Sequence, residues 1–155
     1  MTREGPGERF VWHMKVPDQD IDENCHVSNV SYVRWLQDAA RAHAEGIGWP
    51  IERFQATGCF FAIRRHEVDY LRPAHDSDDI KIETWVEEWR PASATRMTRI
   101  MRAGKGVEPD GELVLAKTEW VFVSIEGTRP KRIPAEVRNA FQRATPLPND
   151  TSASP

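Results

Sequence analysis

Ser28 to Gly48 is the one long stretch of this chain with helical spacing, and almost everything after it reads as strand. A lone helix cannot bury its apolar face against itself, so the strands must cover it. That narrows the fold to one helix against a curled antiparallel sheet, an α+β domain. Val30, Val33, Leu36, Ala40 and Ile47 mark the expected apolar side, and the alanines at 39, 40, 42 and 44 let a sheet approach closely. Ser28 or Asn29 can cap the helix; Gly46 and Gly48 close it, and Pro50 prevents its continuation.

About five strands are expected. Arg9 to Val16 alternates, with Phe10, Trp12, Met14 and Val16 on one face. Residues 51–57 read as a connector. Cys59 to Leu71, Asp79 to Trp89, Ala94 to Ala103 and Glu112 to Ile125 follow, separated by Arg72-Pro73-Ala74, by Pro91 and by the Gly/Pro/Asp-rich turn at 104–111. Consecutive strands on short turns predict a meander. Glu112 to Ile125 is apolar on both faces, which predicts cover from the helix and from another subunit. A short helix is expected at Pro134 to Arg143. The single domain is placed at 9–144, between disordered tails at 1–8 and 145–155.

Composition excludes several classes. A net charge of −3 gives no general pull towards nucleic acid or an anionic membrane. No apolar run approaches the roughly 20 residues that span a bilayer, and the N-terminus lacks a signal-peptide core. The cysteines, Cys25 and Cys59, form no CxxC pair, which fits a reducing cytoplasm better than a disulfide framework. The histidines show no metal-ligand spacing, so no metal is expected.

The chemistry concentrates just before the helix. Asp20, Asp22, Asn24, Cys25 and His26 fall within Asp20 to His26, and the first amides of the helix point back at them with no intrahelical acceptor. Those amides and the positive end of the helix dipole favour negative charge on a bound oxygen. An acidic residue there can also be a simple cap, which suits Asp20, expected to bond loop backbone. Cys25 is a rival nucleophile, because a helix N-terminus lowers thiol pKa.

The pattern D-x-D-x-x-x-H-V-x-N-x-x-Y-x-x-W (Asp20, Asp22, His26, Val27, Asn29, Tyr32, Trp35) resembles the hotdog-fold thioesterases, namely the 4-hydroxybenzoyl-CoA thioesterase-like family and the acyl-ACP thioesterases. Tyr70-Leu71-Arg72-Pro73-Ala74 is similar to the family's Y-L-x-P-A segment, and Asp78 stands where the family has the Asp of a Gly-Asp pair. The likeness runs from Phe10 to Phe141. Two departures stand out: Cys25 where the family usually has Gly before the His, and Ser77 for the Gly of Gly-Asp.

The resemblance implies a hotdog fold, a long central helix wrapped by the sheet, acting as an acyl-CoA thioesterase. It implies Asp22 as nucleophile or general base, and the backbone N–H of Asn29 as the amide polarising the carbonyl. Asn24 and His26 match catalytic positions of the acyl-ACP thioesterases; His26 can move a proton or simply hold the loop. Tyr32, Trp35, Phe60 and Phe61 are candidates for substrate binding, as pocket wall or core. Arg64 and Arg65 are candidates for the phosphates of coenzyme A. No cofactor is implied beyond the coenzyme A of the substrate. A homodimer with sites at its interface is expected; a tetramer and an acyl-carrier-protein substrate stay open. The rivals are a hydratase or dehydratase of the same fold, for which the spacing from Asp22 to His26 is one residue short, and a non-catalytic acyl-binding module.

Overall fold

The structure, a computed structural model, describes residues 7–103 and 111–142. Five strands, β1 (Phe10–Lys15), β2 (Cys59–Tyr70), β3 (Asp79–Trp89), β4 (Ser93–Arg102) and β5 (Glu112–Ser124), form one antiparallel sheet. Three helices accompany it: α1 (Asn29–Gly46), α2 (Ile51–Thr57) and α3 (Ala135–Gln142). This is the expected α+β architecture of one long helix against a curled sheet. The turn at 104–111, apart from Gly111, and the tails expected at 1–8 and 145–155, apart from Gly7 and Glu8, lie outside the described residues. Gly7 departs from that tail: it is buried and donates its N–H to Val86 O at 2.8 Å.

The strand order is β1-β3-β4-β5-β2. The meander therefore holds only for β3, β4 and β5. β2 pairs with β5, from Cys59 opposite Ser124 to Tyr70 opposite Val114, and forms an edge of the sheet. The segment 71–78 must then cross from one edge back to β3, and it runs over the start of α1 as it does so.

α1 is rotated from the expected face. Tyr32, Trp35, Leu36, Ala39, Ala40 and His43 are buried, whereas Val30 is 71% exposed. Aromatic side chains bury about 150–250 Å² each, worth roughly 4–6 kcal/mol of transfer free energy at 25 cal/mol per Å². Turning Tyr32 and Trp35 inward therefore outweighs leaving Val30 in water. They pack with Leu36 and Ala39 against Ile80, Ile82, Ile100 and Val114.

Residues 51–57 form a helix, not a connector. Gly58 closes α2 in the left-handed region at φ 79°, and Phe54 is its one buried residue. A single anchor leaves no period to read. Phe54 joins Trp49, Phe122, Val137 and Phe141 in a second core cluster at the other end of the sheet. β5 is buried on both faces within one subunit: Leu113, Val114, Val121, Phe122 and Val123 are all buried. Its two-sided apolarity therefore requires no second subunit.

Candidate active site

The loop before α1 is built from its own polar groups. After the 3-10 turn Asp18–Asp20, the buried Asp20 carboxylate accepts from the Arg34 guanidinium and from Trp35 Nε1 at 3.1 Å. Its partners are helix side chains, not the loop backbone expected for it; its backbone carbonyl accepts from Ser28 N at 2.9 Å. A carboxylate this deeply buried needs such pairing to stay charged. Asp22 N donates to His26 O at 2.8 Å and Cys25 N to Asp22 O at 3.0 Å, closing residues 22–26 into a tight loop. The Ser28 hydroxyl then caps α1 by accepting from Val30 N at 3.2 Å.

Asp22 sits half-buried at the base of this loop. Its Oδ1 accepts from Asn24 N at 2.8 Å, an Asx turn that fixes the carboxylate. Its second oxygen has no partner among the described residues. Asn29 is the first residue of α1, so its N–H belongs to the first-turn amides that have no intrahelical carbonyl to meet. The loop thus presents a free carboxylate oxygen beside a helix N-terminus, where negative charge is favoured.

The other predicted residues separate into groups. Asn24 and His26 are exposed, and neither side chain hydrogen-bonds Asp22. The His26 ring meets that of His75 edge-on at 5.2 Å. Tyr32 and Trp35 lie in the core: the Tyr32 hydroxyl accepts from Ala74 N at 2.8 Å, and burial raises its phenol pKa. Ala74 O in turn accepts from Val27 N at 3.0 Å. The crossover segment is thereby tied to both loop and helix, and these two aromatic rings shape the site from beneath. Arg64 and Arg65 are exposed on β2, and Arg65 pairs with Glu67 at 2.7 Å.

Phe60 and Phe61 line a cavity of about 480 Å³, open to solvent, between the C-terminal half of α1 and the second core cluster. That volume lies in the range of small-molecule sites. Trp49, Trp89, Trp120 and Phe141 supply much of the wall. Three polar side chains face it, Gln37, Arg41 and Arg96. The sequence reading missed all three. Arg96 left one signal: it shares a strand face with Ala94, Thr98 and Ile100, all of them buried.

The Thioesterase-like superfamily matches residues 16–141. The chain belongs to this superfamily. The acyl-CoA thioester hydrolase YbgC of Escherichia coli O6:H1 is 23% identical over 134 residues, 86% of this chain and 96% of that protein. Among solved structures, the 1,4-dihydroxy-2-naphthoyl-CoA thioesterase of Synechocystis has TM-score 0.77 at 16% identity, covering 86% of this chain and 96% of the other. The DHNA-CoA thioesterase of Staphylococcus aureus has TM-score 0.76 at 15% identity, covering 86% and 88%. Similarity at that level fixes the fold, hotdog as the sequence implied.

Within the superfamily pattern, the two departures have a common backbone cause. Cys25 has φ 65° and Ser77 has φ 67°, both in the left-handed region where glycine is at ease and other residues are strained. The glycines of the family pattern thus stand at positions whose backbone asks for glycine, and this chain keeps the conformation with a side chain present.

Proposed function

We propose that this thioester hydrolase cleaves acyl-CoA, with Asp22 supplying the attacking oxygen or activating water and the Asn29 amide polarising the carbonyl. The observation that carries the reading is the half-satisfied Asp22 carboxylate: one oxygen is held by Asn24 N at 2.8 Å and the other is free, beside the start of α1. A fixed carboxylate costs little reorganisation on the way to the transition state. Charge developing on the thioester oxygen would meet the helix end and the Asn29 amide, the first-turn N–H that the Ser28 cap leaves open. We assign His26 and Asn24, exposed on the same loop with no side-chain bond to Asp22, to contact with the coenzyme or water.

The edge position of β2 supports a homodimer. Its 12 residues hydrogen-bond β5 on one side only, and a long open edge is a template for another strand. Phe60, Phe61, Ala62 and Ile63 of this strand also line the cavity, so edge pairing would bring a second subunit to the site. Both cysteines are free, which suits a reducing compartment such as the cytoplasm. Among the described residues no helix is long and apolar enough to cross a membrane.

The test is thiol release from a panel of acyl-CoAs by wild type and by Asp22→Asn. Asparagine can still accept from Asn24 N, so the loop should hold while turnover falls about 10²- to 10⁴-fold. Enoyl-CoA hydration without thiol release would move the chain to the hydratases. Full activity in Asp22→Asn would shift attention to His26 and Cys25.

A further inference from the structure

Arg96 is a buried cation of the sheet's inner face with no acidic partner among the described residues. It is 6% exposed. Its Nη1 donates to His43 Nδ1 at 3.0 Å and to Thr84 Oγ1 at 2.9 Å. Neither partner carries charge: burial and the adjacent guanidinium hold the His43 pKa down to about 2, so the imidazole is neutral. Nε and Nη2 of Arg96 have no partner among the described residues. Burial lowers the guanidinium pKa to about 10, which leaves it charged at neutral pH.

The same side chain lines the cavity. Among the described residues no aspartate or glutamate faces that space; its polar lining is Arg96, Arg41 and Gln37. The wall is therefore apolar with a net positive charge. A buried charge without a counter-ion is costly, and a guanidinium with two nitrogens free fits a carboxylate in a forked geometry. The structural contacts of Arg96, the bonds to His43 and Thr84 and the Phe141 ring 5.6 Å from the guanidinium, take up one nitrogen for hydrogen bonding and leave two for a ligand.

We infer that the cavity binds the acyl part of the substrate, and that this acyl group ends in a carboxylate which pairs with Arg96. The preferred substrate is then the CoA thioester of a dicarboxylic acid, with the free acid in the aromatic cavity and the thioester towards the catalytic loop of a second subunit paired along β2. This chain's own loop is out of reach, since His43, which Arg96 touches, lies about 21 Å along α1 from Asn29. This rests on the thioesterase and homodimer readings above. Arg96 acts as a specificity residue and takes no part in bond cleavage.

Two measurements decide it. The first compares kcat/KM for glutaryl-CoA and adipyl-CoA with that for pentanoyl-CoA and hexanoyl-CoA, in wild type and in Arg96→Gln. Wild type should favour the acidic member of each pair at least tenfold, and Arg96→Gln should bring the ratio of acidic to neutral thioester to about one, whatever its overall rate. Equal use of both members by wild type overturns the inference, whether or not the variant folds. So does a variant that folds and keeps the preference. A loss of stability alone would lower both members together and leave their ratio unchanged.

The second measurement is the thermal shift of wild type with free pentanoate or hexanoate against the neutral pentanamide or hexanamide. It requires no turnover. A shift specific to the carboxylates in a protein that hydrolyses no thioester would uphold the anion site and sink the enzymatic reading. Hydrolysis of neutral acyl-CoA with no such shift and no acidic preference would do the reverse.

Discussion

Cys25 and Ser77 hold nearly the same left-handed backbone, at φ 65° and 67°, in two loops that are hydrogen-bonded together where Val27 N meets Ala74 O at 3.0 Å. A non-glycine residue there costs about 1–2 kcal/mol, and glycine gives back about 0.5–1 kcal/mol in unfolded-chain entropy. Cys25→Gly and Ser77→Gly should therefore each stabilise the chain by roughly 0.5–1 kcal/mol, read as a higher urea midpoint at constant slope. Cys25→Val should be destabilising, since a β-branched residue tolerates positive φ worst. Glycine variants less stable than wild type would show that these side chains hold their loops in a way backbone strain does not capture.

Asp20 and Asp22 stand two residues apart and should fail in opposite ways. Asp20 is buried and bonded to Arg34 and Trp35. Arg34 is half exposed and can return to water, so Asp20→Ala should cost about 1.5–3 kcal/mol, lowering Tm and activity together. Asp22→Asn should leave Tm within a degree or so and remove activity. Melting curves and rates on the same preparations separate the two; matched losses of Tm in both variants would contradict the assignment.

His43 makes stability pH-dependent. It lies stacked on Phe10 at 5.0 Å and edge-on to Phe141, with Arg96 on Nδ1. Its pKa is about 2 in the folded chain against 6.5 as the ordinary value. Below pH 6.5 the unfolded chain takes up a proton that the folded chain refuses, so stability present above 6.5 is lost as pH falls. The loss approaches 1.4 kcal/mol per pH unit and continues towards the folded value. Denaturation midpoints from pH 8 to 5 should show it, and His43→Gln should flatten the slope. An unchanged slope in a folded His43→Gln protein would place the acid sensitivity elsewhere.

Pairing through β2 predicts a sedimenting species of two chains of 17.8 kDa at micromolar concentration. A monomer that remains fully active would remove the second subunit from the site.

Much of this molecule could be read from the chain because its signals are local. β3 alternates with Ile80, Ile82, Thr84 and Val86 inward as its pattern demands, and its bounds, Asp79–Trp89, were those expected. Asp22 was singled out by its place in a pattern that resembles the thioesterases, and the structure adds that one of its oxygens accepts from Asn24 N. What stayed hidden depends on neighbours distant in sequence. The turn of α1 that exposes Val30 follows from the partners available to Tyr32 and Trp35, Ala74 N and Asp20. β2 becomes an edge because it pairs with β5 rather than β3, and an alternating pattern says nothing about which strand lies alongside. α2 rests on one buried ring. Arg96 looked like any strand arginine until α1 placed His43 over it.

The two bonds from Asp20 to α1 have a kinetic meaning. They rivet the acidic loop to α1, so the two cannot separate without local unfolding. The Asp22 carboxylate and the Asn29 amide, to which the proposed chemistry is assigned, are therefore assembled once, when the chain folds, and not anew at each turnover. The loop is thereby disqualified as a gate. Whatever controls entry of substrate and escape of product must act at the mouth of the aromatic cavity, where β2 meets solvent or its twin.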